Sequence, residues 1–264
     1  MIEKYKNSSL NHPNSKMIMQ LLNQDGEAAK YVGGCVRDAL LKLETLDIDI
    51  ATKHEPQEII KILSTKEIKV IAPGLKHGTI TAIIDDLTFE ITTLRRDKST
   101  DGRYAEVEYT NDWLIDAERR DFTVNAIYIS SDGIINDYFN GQQDIANSKL
   151  QFIGNIDERV QEDFLRIFRY YRFLGIFEKP QLINGYEETL TRYCEESFNY
   201  LSNDLLRREI LKMLNTSYPL NSFFNNKDNK EKRFWIELTK NHFVKTQYDL
   251  GLNKCLNKID LLVN

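Results

Sequence analysis

The chain has 264 residues, a formal net charge of -5, 41% hydrophobic and 28% charged residues, a balance that supports the core of one large or two small domains and excludes a mini-protein or a disordered chain. No apolar run reaches the roughly 18–20 residues needed to span a bilayer, and the opening stretch MIEKYKNSSLNHPNSK has neither an apolar signal core nor a small-residue cleavage site, so a cytoplasmic protein with no membrane association is expected. Cys35, Cys194 and Cys255 are widely separated and lack metal-ligand spacing, which implies neither a disulfide framework nor a zinc knuckle.

The first half alternates short strand and helix signals. Ala29–Val32 reads as a strand running into Gly33-Gly34, after which Val36, Leu40, Leu41 and Leu43 recur at helical spacing. Asp47-Ile48-Asp49-Ile50 alternates strictly, and Pro56 opens a helix with Ile59, Ile60 and Leu63 on its apolar side. Residues 68–71, 79–84 and 89–93 are β-rich runs punctuated by Gly74, Gly78 and Asp85-Asp86. Together these units predict an α+β fold with a mixed sheet and flanking helices. From Asp157 the period becomes helical, with Val160, Phe164, Ile167, Phe168, Tyr171 and Leu174 in one stripe. Residues 201–214 form a further amphipathic helix, 221–232 read as an exposed polar loop, and 233–264 read as helical. The expected organisation is a head domain over residues 1–150 and an all-helical region over 151–264. Charge follows the same division: residues 165–264 carry 16 Lys+Arg against 12 Asp+Glu, net +4, which leaves 19 against 28, net -9, for residues 1–164. Such a basic half either contacts a polyanion or is a solvated, lysine-rich helical surface.

Asp47 and Asp49 are the first chemistry-bearing pair. Side chains two apart on a strand share a face, with Cβ atoms about 7 Å apart, so both carboxylates can converge on a hard cation such as Mg²⁺. An exposed polar strand face is the other reading of that alternation. The Gly33-Gly34 turn between strand and helix lets backbone N–H groups approach phosphate oxygens. Arg37, in the following turn, can bind a phosphate in bidentate fashion or pair with Asp38 on the surface. A phosphate cradle beside a metal site suits phosphoryl or nucleotidyl transfer. The chain has no Gly-x-Gly-x-x-Gly, and its Gly74–Thr79 stretch lacks the lysine of a P-loop.

YVGGCVRDALLKLETLDIDIAT at 31–52, FEITTLRRDKSTDGRYAEVEYT at 89–110, RRDFTVNA at 119–126, DYFNGQQD at 137–144 and EDFLRIFRYYRF at 162–173 form an ordered set that resembles the class II tRNA nucleotidyltransferase and bacterial poly(A) polymerase family. The resemblance covers about residues 29–175. It implies that Asp47 and Asp49 bind catalytic Mg²⁺, that Gly34, Arg37 and Arg120 touch the incoming nucleotide, and that Asp163, Arg166, Arg169 and Arg172 belong to the nucleotide-selecting helix. The chemistry of that helix is coherent: a carboxylate accepts from the exocyclic amine of C or A while an arginine donates to the adjacent ring nitrogen. U and G present the reverse pattern and would leave buried polar groups unpaired. At about 100° per residue, Asp163, Arg166 and Arg169 span about 120° of one helix, whereas Arg172 lies opposite Asp163 and is equally suited to a phosphate, RNA or structural contact.

The charged segment 95–106, without apolar anchors, corresponds to a flexible loop that the resemblance ties to switching from C to A addition. Glu90 is a possible third metal carboxylate, Arg119 a holder of Asp116 or Asp121, and Phe122, Val124 and Ile127 are core. Beyond Gly175 the resemblance fades. Residues 201–214 keep Ser202, Glu209 and Lys212 of a neck-like helix, with Asp204-Leu205-Leu206 replacing the family's pattern, so a neck and a shortened body are expected. Lys227, Lys230, Lys232, Arg233, Lys240 and Lys245 are the candidate RNA-facing cations. The resulting expectation is a monomeric, Mg²⁺-dependent enzyme that adds C, C and A to tRNA from CTP and ATP. The alternatives are a poly(A) polymerase, a CC-only or A-only enzyme, and an inactive RNA-binding relative.

Overall fold

In the computed structural model, which describes residues 8–100, 105–226, 231–246, 248 and 256, the chain forms two units, one from residues 8–99 and 105–147 and the other from residue 148 onward. The first unit begins with α1 (Pro13–Leu22), where proline takes the first helical turn and His12 Nδ1 accepts the Asn14 N–H at 3.2 Å. Next come β1 (Ala29–Val32), α2 (Gly34–Leu41), β2 (Asp47–Thr52) and α3 (Pro56–Ser64). After β3 (Val70–Ile71), β4 (Thr79–Ile84) and β5 (Leu87–Thr93) make a hairpin across Asp85, whose φ is 52°. A separate ribbon of β6 (Arg95–Thr100) and β7 (Ala105–Tyr109) is followed by α4 (Trp113–Glu118), β8 (Ile127–Ile129), β9 (Ile135–Asp137) and α5 (Gly141–Ala146).

Seven strands form one sheet in the order β3-β4-β5-β2-β1-β8-β9. It is mixed because β2 and β5 run parallel while the other neighbours are antiparallel. Alternation decides what each face carries. Ile48, Ile50, Tyr31, Phe89, Ile91, Ile127 and Ile129 pack into one core with Ile18, Leu22, Val36, Ile59 and Leu63 from the helices. Burying side chains of this kind contributes about 1.5–3 kcal/mol each. The intervening residues Asp47, Asp49, Glu90 and Tyr128 therefore share the opposite face.

The second unit holds α6 (Ile156–Glu162), α7 (Leu165–Leu174), α8 (Tyr186–Ser197), α9 (Asn203–Leu214), α10 (Leu220–Phe223), a ribbon of β10 (Phe224–Asn226) and β11 (Glu231–Lys232), and α11 (Phe234–Lys245). Trp235 is fully buried against Phe168, Tyr171 and Phe223, with ring centroids 6.0, 6.1 and 5.6 Å away.

Three expectations are corrected. The segment 95–106 is not simply a flexible connection: the β6–β7 pairing satisfies backbone groups without an apolar anchor, and Arg96 Nε meets Glu108 Oε2 at 2.6 Å. Residues 101–104 lie outside the described residues. The helix expected to run on from Asp157 breaks at Asp163, whose φ of -152° and ψ of 101° are extended. The cause is local, because Asp163 Oδ1 accepts the Leu165 N–H at 3.0 Å and competes with the helix for that donor. The stretch 221–232 is not an exposed loop where it is described. Asn221, Ser222, Phe223 and Phe224 are buried, Asn221 Nδ2 donates to Phe177 O at 2.5 Å, and Trp235 Nε1 donates to Ser222 O at 3.2 Å.

The two faces of β2 should respond oppositely to substitution. Ile48→Ala is expected to cost about 2–5 kcal/mol in urea unfolding, whereas Asp47→Asn, on the exposed face, should change stability by no more than about 0.5 kcal/mol.

Candidate active site

The turn after β1 places the first functional backbone. Gly33 has φ 74° and ψ -137°, and a Cβ added there would lie 2.8 Å from Asp49 Oδ2, so both conformation and proximity demand glycine. Gly34 N donates to that same Asp49 oxygen at 3.1 Å. The N–H that the sequence assigns to a phosphate is thus bonded here to a carboxylate, which needs a donor because Asp47 stands beside it. Burial pushes the Asp49 carboxyl above its ordinary range, opposed by the charges of Arg120 and Arg37 and reinforced by Asp47. Beneath it, Cys35 Sγ donates to Val32 O at 3.2 Å, and burial pushes that thiol far up, so it is no nucleophile.

Arg37 is buried at 8% exposure and is tied on two sides: Nε reaches Asp38 Oδ1 at 2.9 Å, and Nη1 reaches Asn125 Oδ1 at 2.6 Å. Asn125 Nδ2 in turn donates to Asp121 Oδ1 at 3.0 Å. The 119–126 segment therefore fixes an arginine that lies about 90 residues earlier in the chain. Arg120 is held by Asp116, with Nη2 to Oδ2 at 3.0 Å, and its Nε contacts Tyr128 OH at 3.1 Å. Arg119 occupies the other Asp116 oxygen, its Nη2 at 2.7 Å from Oδ1. Burial alone would raise the Asp116 carboxyl, but Arg119, Arg120 and the Tyr128 hydroxyl hold it well below the usual range.

In the second unit, Asp163 occupies the break between α6 and α7, so the helical-wheel relation to Arg166 and Arg169 does not apply to it. Arg166 is 7% exposed and donates through Nη1 to Glu162 Oε2 at 2.7 Å and to Arg159 O at 2.8 Å. Arg169 lies over the Phe173 ring at 5.2 Å. Arg172 makes an ion pair with the buried Glu209 of α9, Nη1 to Oε2 at 2.8 Å, which gives it a structural role in joining two helices. Among the expected RNA-facing cations, Arg233 is instead buried at 1% exposure, 4.9 Å from the Tyr171 ring and bonded to Glu187 Oε2 at 3.1 Å. Lys227 and Lys230 lie outside the described residues.

Residues 29–151 match the family model described as the poly A polymerase head domain. These residues belong to that family. The head domain is thus the segment that carries Gly33, Gly34, Arg37, Asp47, Asp49 and Arg120. The human mitochondrial CCA tRNA nucleotidyltransferase 1 is 47% identical over 167 residues, 62% of this chain and 38% of its own length. The mouse counterpart is 37% identical over 246 residues, 90% of this chain and 50% of its own. The crystal structure of the Bacillus stearothermophilus CCA-adding enzyme in complex with CTP superposes with a TM-score of 0.69 at 29% identity, covering 84% of this chain and 51% of that one. The chain spans about half or less of the length of these relatives.

Among the described residues no set of three or more His, Cys, Asp or Glu side chains is arranged to hold a metal ion. Glu90 sits opposite Asp49 in the β2–β5 register without completing such a set. The pair Asp47 and Asp49 nevertheless fits a divalent cation bound by one or two carboxylates with substrate phosphates supplying further oxygens. Sequence reasoning offered Asp116 or Asp121 as the partner of Arg119, and Asp116 is the one that pairs with it; it missed Asp116 and Tyr128 as partners of Arg120 and Asn125 as a partner of Arg37. The available signal was the carboxylate three and four residues before Arg119 and Arg120, the spacing of helical ion pairs.

Gly33→Ala should lower the unfolding free energy by about 1–3 kcal/mol and weaken divalent-cation binding, both readable by calorimetry. Asp49→Asn tests the buried charge. Because the folded carboxyl is raised, ionising it opposes folding as pH climbs above the unfolded value near 3.9. In metal-free buffer the variant should therefore unfold at a higher temperature than the parent at pH 7, an advantage that vanishes below about pH 4.

Proposed function

We propose that the chain is a template-independent nucleotidyltransferase that adds C, C and A to the 3′ end of tRNA from CTP and ATP with release of pyrophosphate. The observation that carries this reading is the Asp47–Asp49 pair on one strand face, bonded through Asp49 to a glycine turn and within electrostatic reach of Arg37 and Arg120. The names of the human, mouse and Bacillus stearothermophilus relatives support the substrate class. In this proposal Asp47 and Asp49 hold Mg²⁺, which when bound would neutralise triphosphate charge and favour the attacking 3′-hydroxyl and the departing pyrophosphate. Gly33 and Gly34 bring backbone close to the nucleotide, while Arg37 and Arg120 meet its phosphates with guanidinium groups already fixed by Asn125 and Asp116. Asp163 and Arg166 read the Watson–Crick edge of C or A, and Arg169 and Arg172 support the same segment. The protein acts as a monomer in the cytoplasm. Fractionation decides between that address and the mitochondrial one named for the human and mouse relatives. Among the described residues no helix is long and apolar enough to cross a membrane.

A second reading, poly(A) addition, is favoured by the name of the matched head-domain family. Both are separated by incubating the chain with tRNAs lacking CCA, CA or A, with CTP and ATP singly and together. Products that stop after one completed CCA support the proposal; long A tails overturn it. Asp47→Ala with Asp49→Ala should depress extension on the order of a thousandfold, and residual extension near the parent's rate would remove the metal assignment. Arg166→Ala should relax discrimination against UTP and GTP on the order of a hundredfold, measured as the ratio of kcat/KM values.

A further inference from the structure

We propose that Asp116 is a positioning residue for nucleotide binding, acting through Arg120, with the Tyr128 hydroxyl completing the clamp. The proposal rests on the phosphate-binding role proposed above for Arg120. Asp116 is 0% exposed and lies in the six-residue helix α4. Its two oxygens are divided between two arginines. Oδ1 accepts Arg119 Nε at 2.9 Å and Nη2 at 2.7 Å, and the Arg95 N–H at 3.3 Å. Oδ2 accepts Arg120 Nη2 at 3.0 Å and Nε at 3.3 Å, and the Tyr128 O–H at 2.7 Å. Tyr128 OH also accepts from Arg120 Nε at 3.1 Å, and the Arg120 guanidinium lies 5.4 Å from the Tyr128 ring centroid.

Two features separate this arrangement from a purely architectural ion pair. One carboxylate holds two guanidinium groups through separate oxygens, so a single buried side chain sets the direction of both. A guanidinium group fixed in this way can offer its remaining N–H groups to polyphosphate oxygens. The side chains of Arg119 and Arg120 each retain 15% exposure while that of Asp116 retains 1%, so the cationic groups, not the carboxylate, reach the surface. Arginine also has many rotamers, and holding Nε and Nη2 on Asp116 and Tyr128 removes that freedom before nucleotide arrives. Tyr128 is in strand β8, whose alternation places it on the Asp49 face of the sheet, so the clamp ties Arg120 to the same surface as the carboxylate pair.

The test is a set of thermodynamic cycles on the full chain: Asp116→Asn, Tyr128→Phe and Arg120→Met, alone and combined, with Kd for CTP and ATP by titration calorimetry in Mg²⁺ and the thermal midpoint of each variant. Asp116→Asn is expected to weaken both nucleotides about tenfold, and Tyr128→Phe about threefold. On the Arg120→Met background neither should weaken binding further, because the residue through which they act is gone. Unchanged Kd in Asp116→Asn, or losses that multiply in the double variants, overturns the proposal in favour of a structural role. An Arg120→Met protein that binds both nucleotides normally instead defeats the role of Arg120 itself. If Asp116→Asn does not fold, the Tyr128→Phe and Arg120→Met cycle decides by the same criteria.

Discussion

Two carboxylates on one strand face repel each other, and the first unit is arranged to tolerate that repulsion. Asp49 is partly desolvated and stands two residues from Asp47, a position that would favour its neutral form. Three features oppose this: the Gly34 N–H, the Arg37 guanidinium and the Arg120 guanidinium. Each of them depends on structure elsewhere. The N–H is available only because Gly33 adopts φ 74° and carries no Cβ. Arg37 is fixed through Asn125, and Arg120 through Asp116 and Tyr128. The apolar side of β2 supplies the rigidity, since Ile48 and Ile50 lock into the helical layer and hold the two aspartates in register.

How much of this was legible depended on whether the signal was local. Strands β1, β2 and β4 and helix α3 could be read because apolar alternation, Gly33-Gly34 and Pro56 mark them in single short windows. Glycine turn and paired aspartates were legible for the same reason. The near partners Asp38 of Arg37 and Asp116 of Arg119 were legible too, but the distant partners of the arginines were not. Asn125 meets Arg37 across 88 positions, and no periodicity encodes such a contact. The polar composition of 221–232 concealed Phe223 and Phe224, whose burial is decided by Trp235 and Asn221 rather than by the segment's average character. Arg233 misled for a related reason: its charge suggested surface, yet Glu187, Asn225 and the Asn221 carbonyl satisfy its donors inside the fold.

The helical wheel failed at Asp163 for a physical reason that bears on the role proposed for it. A wheel assumes one unbroken helix, but Asp163 takes extended dihedrals and bonds the Leu165 N–H, so it starts α7 rather than lying within it. Leaving the helix removes Asp163 from the fixed 100° spacing that would tie its direction to that of Arg166. The Arg166 side chain donates to Glu162 and to the Arg159 carbonyl, both belonging to α6. A carboxylate and a guanidinium group are thus held by local bonds at a helix break, the pair to which the proposed function assigns one base edge.

Arg172 shows how one arginine row can divide its roles. Arg166 and Arg172 are both nearly buried, yet their carboxylate partners differ in kind. Glu162, on α6, is a third exposed, whereas Glu209, on α9, is almost wholly enclosed. A buried guanidinium–carboxylate pair of the second sort is costly to break because either partner left alone is an unpaired buried charge. It therefore serves as a fixed joint between α7 and α9. The half-open pair at Arg166 carries a smaller desolvation penalty when its hydrogen bonds are rearranged, which suits the base-reading role proposed for it.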